Sequence, residues 1–535
     1  MPRAFHDGLL DREGFVVIPR PPFADELTRE QELAHFDRLK PRLHQVWDVI
    51  SAQEDLPATS IVVPSFTLDQ EELTKLDGAA FYEERLLFLL IRLRNPRAHV
   101  TYVTSQPVHP LILDYYLHLL AGVPASHARA RLTMLCAYDS SPRPLTQKIL
   151  ERPRLIERIR QSIPDSEAAY LTVFNSTPLE RKLSVLLDVP LNGLDPELNY
   201  LGTKSGSRKV FREAGVACPP GYEDLKDKDD VERALVELGR EQPGLRRAVV
   251  KLNESFSGEG NAVFRFPESV TRESVRDAMG GLELAVASES HETYFRKFAR
   301  MGGIVEAFID APHKLSPSAQ LRTTPRGDVS ATSTHDQILG GPSGQIYQGC
   351  TFPAHEDYRR AILDAGTAVG KVLAAHGAVS RFGVDFLVSR QDTSQPWAIH
   401  ALEINLRVLG TTHPFLALQF LTGGRLDPDS GLFLSLSGRA KYYMATDNLR
   451  ATGLRGVLPE DLIDIVTNNG LHYSYRTESG VLFHLIGALS EWGKLGVTVI
   501  ANSRDEVNDL YRRTLDVLDR EAGLGHVPAA TGRHA

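Results

Sequence analysis

Asp385, Glu403, Asn405 and Arg407 are the residues whose types and spacing promise chemistry. They lie in RFGVDFLVSRQDTSQPWAIHALEINLRVLGTTHP, which runs from Arg381 to Pro414. Two alternating runs, Phe382 to Ser389 and Ala398 to Asn405, flank a polar turn that contains Pro396. The pattern predicts a β-hairpin, because strand side chains alternate faces with period 2. Glu403 and Asn405 then share a face, roughly 7 Å apart at about 3.4 Å per residue. A turn centred near Thr393 and Ser394 sets Asp385 opposite Glu403. Oxygen-bearing side chains converge there, with Arg407 just beyond. Such a set suits a hard cation of the Mg²⁺ kind, whose shell substrate phosphates complete.

A second feature lies upstream. Ala248-Val-Val-Lys-Leu reads as a strand ending at Lys251, and it runs into Asn253-Glu-Ser-Phe-Ser-Gly-Glu-Gly-Asn-Ala262. Ser255, Ser257, Gly258 and Gly260 allow backbone N–H groups to approach an anion closely. Lys251 supplies a point charge for phosphate. The loop is not a Walker A loop, because GxxxxGK[ST] is absent.

These residues need elements to hold them. Ser60-Ile-Val-Val-Pro, His99-Val-Thr-Tyr-Val-Thr, Arg131-Leu-Thr-Met-Leu-Cys and Ala169-Tyr-Leu-Thr-Val-Phe read as strands. Helical patterns such as Phe81 to Leu93 and Leu111 to Leu120 lie between them, which implies a parallel α/β sheet. It lacks GxGxxG, so the expectation is a scaffold lending loops to a site, not a dinucleotide fold. Ser205 to Ala214 is a helix candidate stopped by Gly215 and followed by Pro219-Pro220. Met301 to Asp310, Pro317 to Thr323 and Val329 to Thr334 read as strands, and residues 335–354 as loop-rich. Asp357 to His376 is an amphipathic helix. A short helix, Phe415 to Thr422, and a small α+β module follow, the latter closing with an Asp505 to Glu521 helix. The expected division is 1–200, 201–430 and 431–535.

Composition narrows the function. A formal net charge of −8 argues against a general nucleic-acid binder. No apolar run reaches the ~18 residues of a membrane span. The N-terminal MPRAFHDGLLDREGF carries acids where a signal peptide needs an apolar core. Cys136, Cys218 and Cys350 are widely spaced, which points to a reducing cytoplasm without a disulfide framework. His335, His355, His400, His413 and His484 show no tight ligand spacing, so structural roles are expected, although His335 and Asp336 could touch substrate. Trp47, Trp397 and Trp492 are expected to pack.

The ordered set resembles the ATP-grasp superfamily of carboxylate–amine ligases over residues 200–425. It comprises a lysine before a helix with AG and PP, Lys251 before a Gly/Ser loop, a Val-Glu-Ala-Phe strand, then Asp385, Glu403-x-Asn405 and Arg407. The preceding α/β domain and the C-terminal GVLFHLIGAL…GKLGVTVIANS resemble the peptide ligases of the pheganomycin type. The resemblance implies an ATP-grasp fold of two α+β lobes clasping ATP. A Rossmann-like domain precedes it and a small α+β module follows.

It also implies roles. Lys204 matches the first lysine, which reaches the nucleotide phosphates, with Lys209 as the neighbouring alternative. Lys251 matches the second lysine. Ser255 to Asn261, including Ser257, Gly258 and Gly260, matches a mobile loop that covers phosphate. Glu306, Ala307, Phe308 and Ile309 match the hinge that contacts adenine. Asp385, Glu403 and Asn405 match ligands of Mg²⁺, for which Mn²⁺ can substitute. Arg407 matches an arginine beside the transferring phosphate, and Arg322 is expected to contact phosphate from a neighbouring strand. Two departures stand out. Thr203 precedes the first lysine where some relatives have aspartate, and His313 and Lys314 follow the hinge where relatives often place a ribose-binding acid.

The expected activity joins a small-molecule carboxylate to the amine of an amino acid or peptide, with no nucleic acid or membrane partner and with a homo-oligomer left open. The rival readings are the same fold with a non-amine acceptor, as in a carboxylase or kinase, and a non-catalytic nucleotide-binding regulator.

Overall fold

The computed structural model describes residues 27–51, 56–67, 73–74, 77–255, 259–286, 289–340, 346–427 and 429–522. The N-terminal MPRAFHDGLLDREGF and the tail from Pro528 lie outside these residues.

Strands β1 (Ala58–Val63), β2 (Ala98–Thr104), β3 (Leu132–Cys136) and β4 (Ala169–Val173) form a parallel sheet ordered β3-β2-β1-β4. They are the runs expected from the sequence. Ile61, Val62 and Val63 are wholly buried in succession, as a strand covered on both faces requires. Ala79–Arg94 is wound as a 3₁₀ helix and Pro110–His118 as an α-helix. The chain steps outward from β1 through β2 to β3, then returns across β1 to β4. The carboxyl ends of β1 and β4 therefore flank a topological switch point, where open α/β sheets take up ligands.

The second sheet is antiparallel and ordered β5-β9-β6-β7-β8. Its strands are β5 (Gly221–Leu225), β6 (Arg247–Leu252), β7 (Asn261–Arg265), β8 (Glu283–Leu284) and β9 (Gly303–Ala307). Helices Lys228–Glu241 and His291–Met301 cover it through Val231, Leu235 and Phe298, which pack with Val250 and Phe264.

The third sheet begins with β10 (His313–Leu315), β11 (Pro317–Thr323), β12 (Val329–Gly340), β13 (Ile346–Phe352), β14 (Ser380–Arg390) and β15 (Ala398–Asn405). It continues through β16 (Arg425–Leu426), β17 (Phe433–Leu434), β18 (Ala440–Arg450), β19 (Gly480–His484) and β20 (Lys494–Ala501). Helix Glu356–Ala375 lies on it, and Ile362, Val369 and Leu373 pack with Leu321, Phe382 and Phe386. Each such side chain contributes about 1.5–3 kcal/mol on burial. These residues hold β11 and β14 in place, and β14 in turn carries β15.

The loop-rich reading of 335–354 is corrected. β12 continues to Gly340 and β13 starts at Ile346, with 341–345 outside the described residues. The glycines there mark close packing. A Cβ on Gly349 would lie 2.5 Å from the Ala445 carbonyl oxygen on β18. That contact joins the C-terminal strands to the central ones, because β13 pairs with β18.

Candidate active site

The β14–β15 hairpin has the expected register. Asp385 pairs with Glu403, and Gly383 with Asn405. A bulge between Asp385 and Phe386 shifts the ladder beyond that pair. The Asn405 amide donates to Asp385 Oδ2 at 3.1 Å, and Gln337 donates to Asp385 Oδ1 at 2.8 Å. Arg407 donates to Asn405 Oδ1 at 3.2 Å. Burial, then the Glu403 charge, pushes the Asp385 carboxyl up to about 7. Burial also acts to raise Glu403, but Lys204, Lys251 and Arg407 outweigh it and hold Glu403 below its ordinary value.

Lys204 supplies the nearest cation to that pair, in an ion pair with Glu403. Its position is set by the start of helix Lys204–Glu213. Thr203 caps this helix, its hydroxyl accepting from the Gly206 N–H at 3.0 Å. Asn253 ties the same turn to the Gly/Ser loop. Its side-chain oxygen accepts from the Ser205 N–H at 2.9 Å, and its carbonyl accepts from the Lys204 N–H at 3.1 Å. Lys209 points elsewhere and pairs with Asp224 at 2.6 Å on the exposed side of the helix.

Lys251, at the end of β6, forms an ion pair with Glu306 on β9. Glu306 is buried and also receives Arg208 at 3.4 Å. Its carboxylate is thus committed inside the lobe. Ala307 is buried beside it, and Ile309 follows with its carbonyl accepting from Lys314 at 3.4 Å. The Phe308 ring is covered by Arg247 at 3.9 Å and Lys314 at 4.9 Å. Asp310 pairs with Arg247 at 2.9 Å. Asn261 stands opposite Lys251 in the β6–β7 ladder. Ser257 and Gly258 lie outside the described residues.

A cavity of about 790 Å³ opens between the sheets. Lys204, Ser255, Gly260, Glu403, Asn405 and Arg407 line it, so the structure brings these expected residues together. Asp385 joins them through Asn405. Lys251 and residues 306–309 are not among its lining.

The far wall holds residues that the sequence did not single out. Thr67 follows β1, and Asn175, Ser176 and Thr177 follow β4, at the switch point. Asn175 binds the Thr67 backbone with both ends of its amide, at 3.0 and 2.8 Å, and locks the two loops together. The visible signal was Thr177-Pro-Leu-Glu180, a capping box that starts helix Pro178–Leu187. Lys297, from helix His291–Met301, adds a cation to the opposite wall.

Arg322 stands apart from the hairpin acids. It shares a face with Asp385 but pairs with Arg381, four residues along β14, or about 13 Å away at 3.3 Å per residue. Its guanidinium lies 4.1 Å from the Trp47 ring and donates to Asn192 at 2.9 Å. His335 and Asp336 are also structural. His335 is buried and meets the Tyr443 hydroxyl at 2.5 Å, and Asp336 accepts from Tyr358 at 2.6 Å.

The donors suit a Mg²⁺ ion. Among the described residues no group of three or more His, Cys, Asp and Glu side chains gathers to hold a metal. The hairpin offers two carboxylates and an amide, all oxygen donors, which leaves part of an octahedral shell to phosphates and water.

Residues 196–274 and 286–429 match the family described as IQCH-like ATP-grasp, and residues 461–514 match the PGM1 C-terminal domain. The L-propargylglycine–L-glutamate ligase of Streptantibioticus cattleyicolor is 31% identical over 474 residues, covering 87% of this chain and 94% of that protein. The IQ motif-containing protein H of Danio rerio is 22% identical over 95% of this chain, which spans 52% of that longer protein. Among solved structures, the biotin carboxylase of Campylobacter jejuni is similar with a TM-score of 0.51 at 12% identity, over 88% of this chain and 96% of that one. The biotin carboxylase domain of the Hydrogenobacter thermophilus 2-oxoglutarate carboxylase, solved with MgADP, ADP and bicarbonate, has a TM-score of 0.50 at 13% identity, over 86% and 89%. At such identities these two speak to the fold alone. The fold is that of the ATP-grasp enzymes. Within them, the chain belongs to the ATP-dependent ligases of the pheganomycin type.

Proposed function

We propose that the protein activates a substrate carboxylate as an acyl phosphate and joins it to an amine, forming a peptide bond and releasing ADP and phosphate. The observation that carries this reading is the meeting of Lys204, Glu403, Asn405 and Arg407 with the first-domain loops around one cavity. A nucleotide in the cleft would then present its terminal phosphate to a substrate seated at the switch point.

Lys204 and Lys251 bind the phosphates in this account, and Ser255, Ser257, Gly258, Gly260 and Asn261 form the loop that covers them. Ala307, Phe308 and Ile309 hold adenine through the backbone, while Glu306 anchors Lys251. Mg²⁺ would be held by Asp385, Glu403 and Asn405 and would neutralise phosphate charge. The carboxylate oxygen attacks the γ-phosphorus, and the bond to ADP breaks. The amine nitrogen then attacks the acyl carbon, phosphate leaves with the electrons of the C–O bond, and the amine proton passes to solvent. Arg407 offsets charge on the transferred group, so catalysis is chiefly positioning and charge neutralisation. Loop closure keeps water from the acyl phosphate.

The relative named above joins two amino acids by its name. An amino acid or short peptide at each position is therefore the substrate class we propose, with L-glutamate as the first probe. The division into 1–200, 201–430 and 431–535 gives a substrate-shaping unit, a catalytic unit and a buttress. A cytoplasmic site of action fits the use of ATP and the free cysteines.

The test is ADP and phosphate release with an amino-acid panel, read beside a mass-spectrometric search for condensed products. Amine-dependent product and hydroxamate formation with hydroxylamine are expected. Nucleotide binding without turnover across all pairs would favour a regulator. Product formation with a non-amine acceptor alone would overturn the amide-forming step.

A further inference from the structure

Arg322 and Arg381 stand directly opposite one another on β11 and β14. Like charges in that position destabilise a sheet. Arg92, from the 3₁₀ helix Ala79–Arg94, brings a third guanidinium whose charge acts on both. Among the described residues none of the three forms an ion pair, and Arg322 meets only the neutral Asn192 oxygen. The Nε atoms of Arg92 and Arg322 are shut off from solvent without an acceptor. Ring faces hold the outer two, Arg322 over Trp47 at 4.1 Å and Arg92 over Tyr170 at 5.3 Å. All three residues keep part of their surface exposed. Burial, then Arg92, pushes Arg381 down to about 10. Burial, then Arg381 and Arg92, pushes Arg322 well below its ordinary value.

Among the described residues, the fold sets three guanidiniums together, fixes two of them on aromatic rings and supplies no paired acid, which leaves their charge to be met from outside. Guanidinium forks match planar or tetrahedral oxyanions. We propose that Arg92, Arg322 and Arg381 form a second anion site, apart from the nucleotide cleft, which takes a multiply charged oxyanion across the seam between the first domain and the large lobe. Its chemistry is shared by the carboxylate end of an acidic substrate and by free phosphate. Arg381 lies about 13 Å along β14 from Asp385, the reach of a peptide of about four residues.

The test is thermal unfolding with tricarballylate or inorganic phosphate at constant ionic strength, with and without saturating ADP and Mg²⁺. At least one anion is expected to raise the wild-type melting temperature by about 2 °C or more, also with ADP present. Arg381→Gln and Arg92→Gln should each lose that response, keep the shift caused by ADP, and melt no lower than wild type in chloride. A response to tricarballylate assigns the site to a carboxylate, and a response to phosphate alone assigns it to free phosphate. Wild type unmoved by either anion would overturn the proposal. So would variants that respond as wild type does, or that both melt well below it in chloride. The shift with ADP reports separately on the nucleotide cleft.

Discussion

Asp385 faces Glu403 across the β14–β15 ladder, so two carboxylates meet on adjacent strands, and Glu403 lines the cavity. Such a pair is unfavourable in a sheet by itself. It persists because Lys204 pairs with Glu403, and because Asn405 and Gln337 donate to Asp385. The arrangement is poised to gain from a divalent cation.

Glu403→Gln should therefore lower Mg²⁺-dependent turnover by at least about 100-fold, since even outer-shell partners of metal ligands cost 10–100-fold. ADP release at saturating ATP measures it. Turnover within twofold of wild type would remove Glu403 from the metal site.

Lys204 and Lys209 separate cleanly. Lys204→Met removes a charge-assisted contact of about 1.5–3 kcal/mol and should weaken ATP binding by roughly 10–100-fold. Lys209→Ala should leave it within twofold, because Lys209 pairs with Asp224 at the surface. Calorimetric titration with ATP analogues distinguishes them, and equal losses would contradict the placement of the helix start.

Gly260→Ala probes the covering loop. A Cβ there would lie 2.5 Å from the Ser255 Cβ, so the loop must move. A fall in turnover of roughly 10-fold or more, with the melting temperature within about 4 °C of wild type, is expected from a local loop fault. Unchanged turnover would show that the loop does not close on the reacting groups.

How far the sequence was legible follows from the range of the forces involved. The hairpin register was readable because period-2 alternation and a turn around Thr393 and Ser394 are local. The parallel strands were readable as short apolar runs between helical patterns. The setting of Arg322 was not legible because its neighbour, Trp47, lies far away in sequence. The Glu306 pairing with Lys251 and Arg208 likewise depends on strands meeting across the small lobe. Glycines at 340 and 349 suggested loops, whereas Gly349 admits the β18 backbone. The cavity wall at Thr67 and Asn175 became apparent only with the strand order.

Stability should depend on pH through Glu84. Burial chiefly pushes it up to about 7, against the pull of backbone bonds from Gly487 and Ile486. Its folded value exceeds its unfolded one. The stability it contributes is thus present below about 4.5 and is lost as pH rises through about 7. Glu84→Gln keeps an acceptor for the Gly487 N–H, which Glu84 meets at 3.1 Å. The variant should gain on the order of 1–3 kcal/mol over wild type between pH 5 and pH 8 in denaturant unfolding. A difference that does not change with pH would contradict this account.

The central claim is transfer of the terminal phosphate to a carboxylate. An amino-acid panel labelled with ¹⁸O in the carboxylates, incubated with ATP, Mg²⁺ and the amine partner, tests it most directly. The account predicts one ¹⁸O atom in each released inorganic phosphate, with ADP formed in equal amount to the condensed product. Label in AMP, or condensation with unlabelled phosphate, would contradict it.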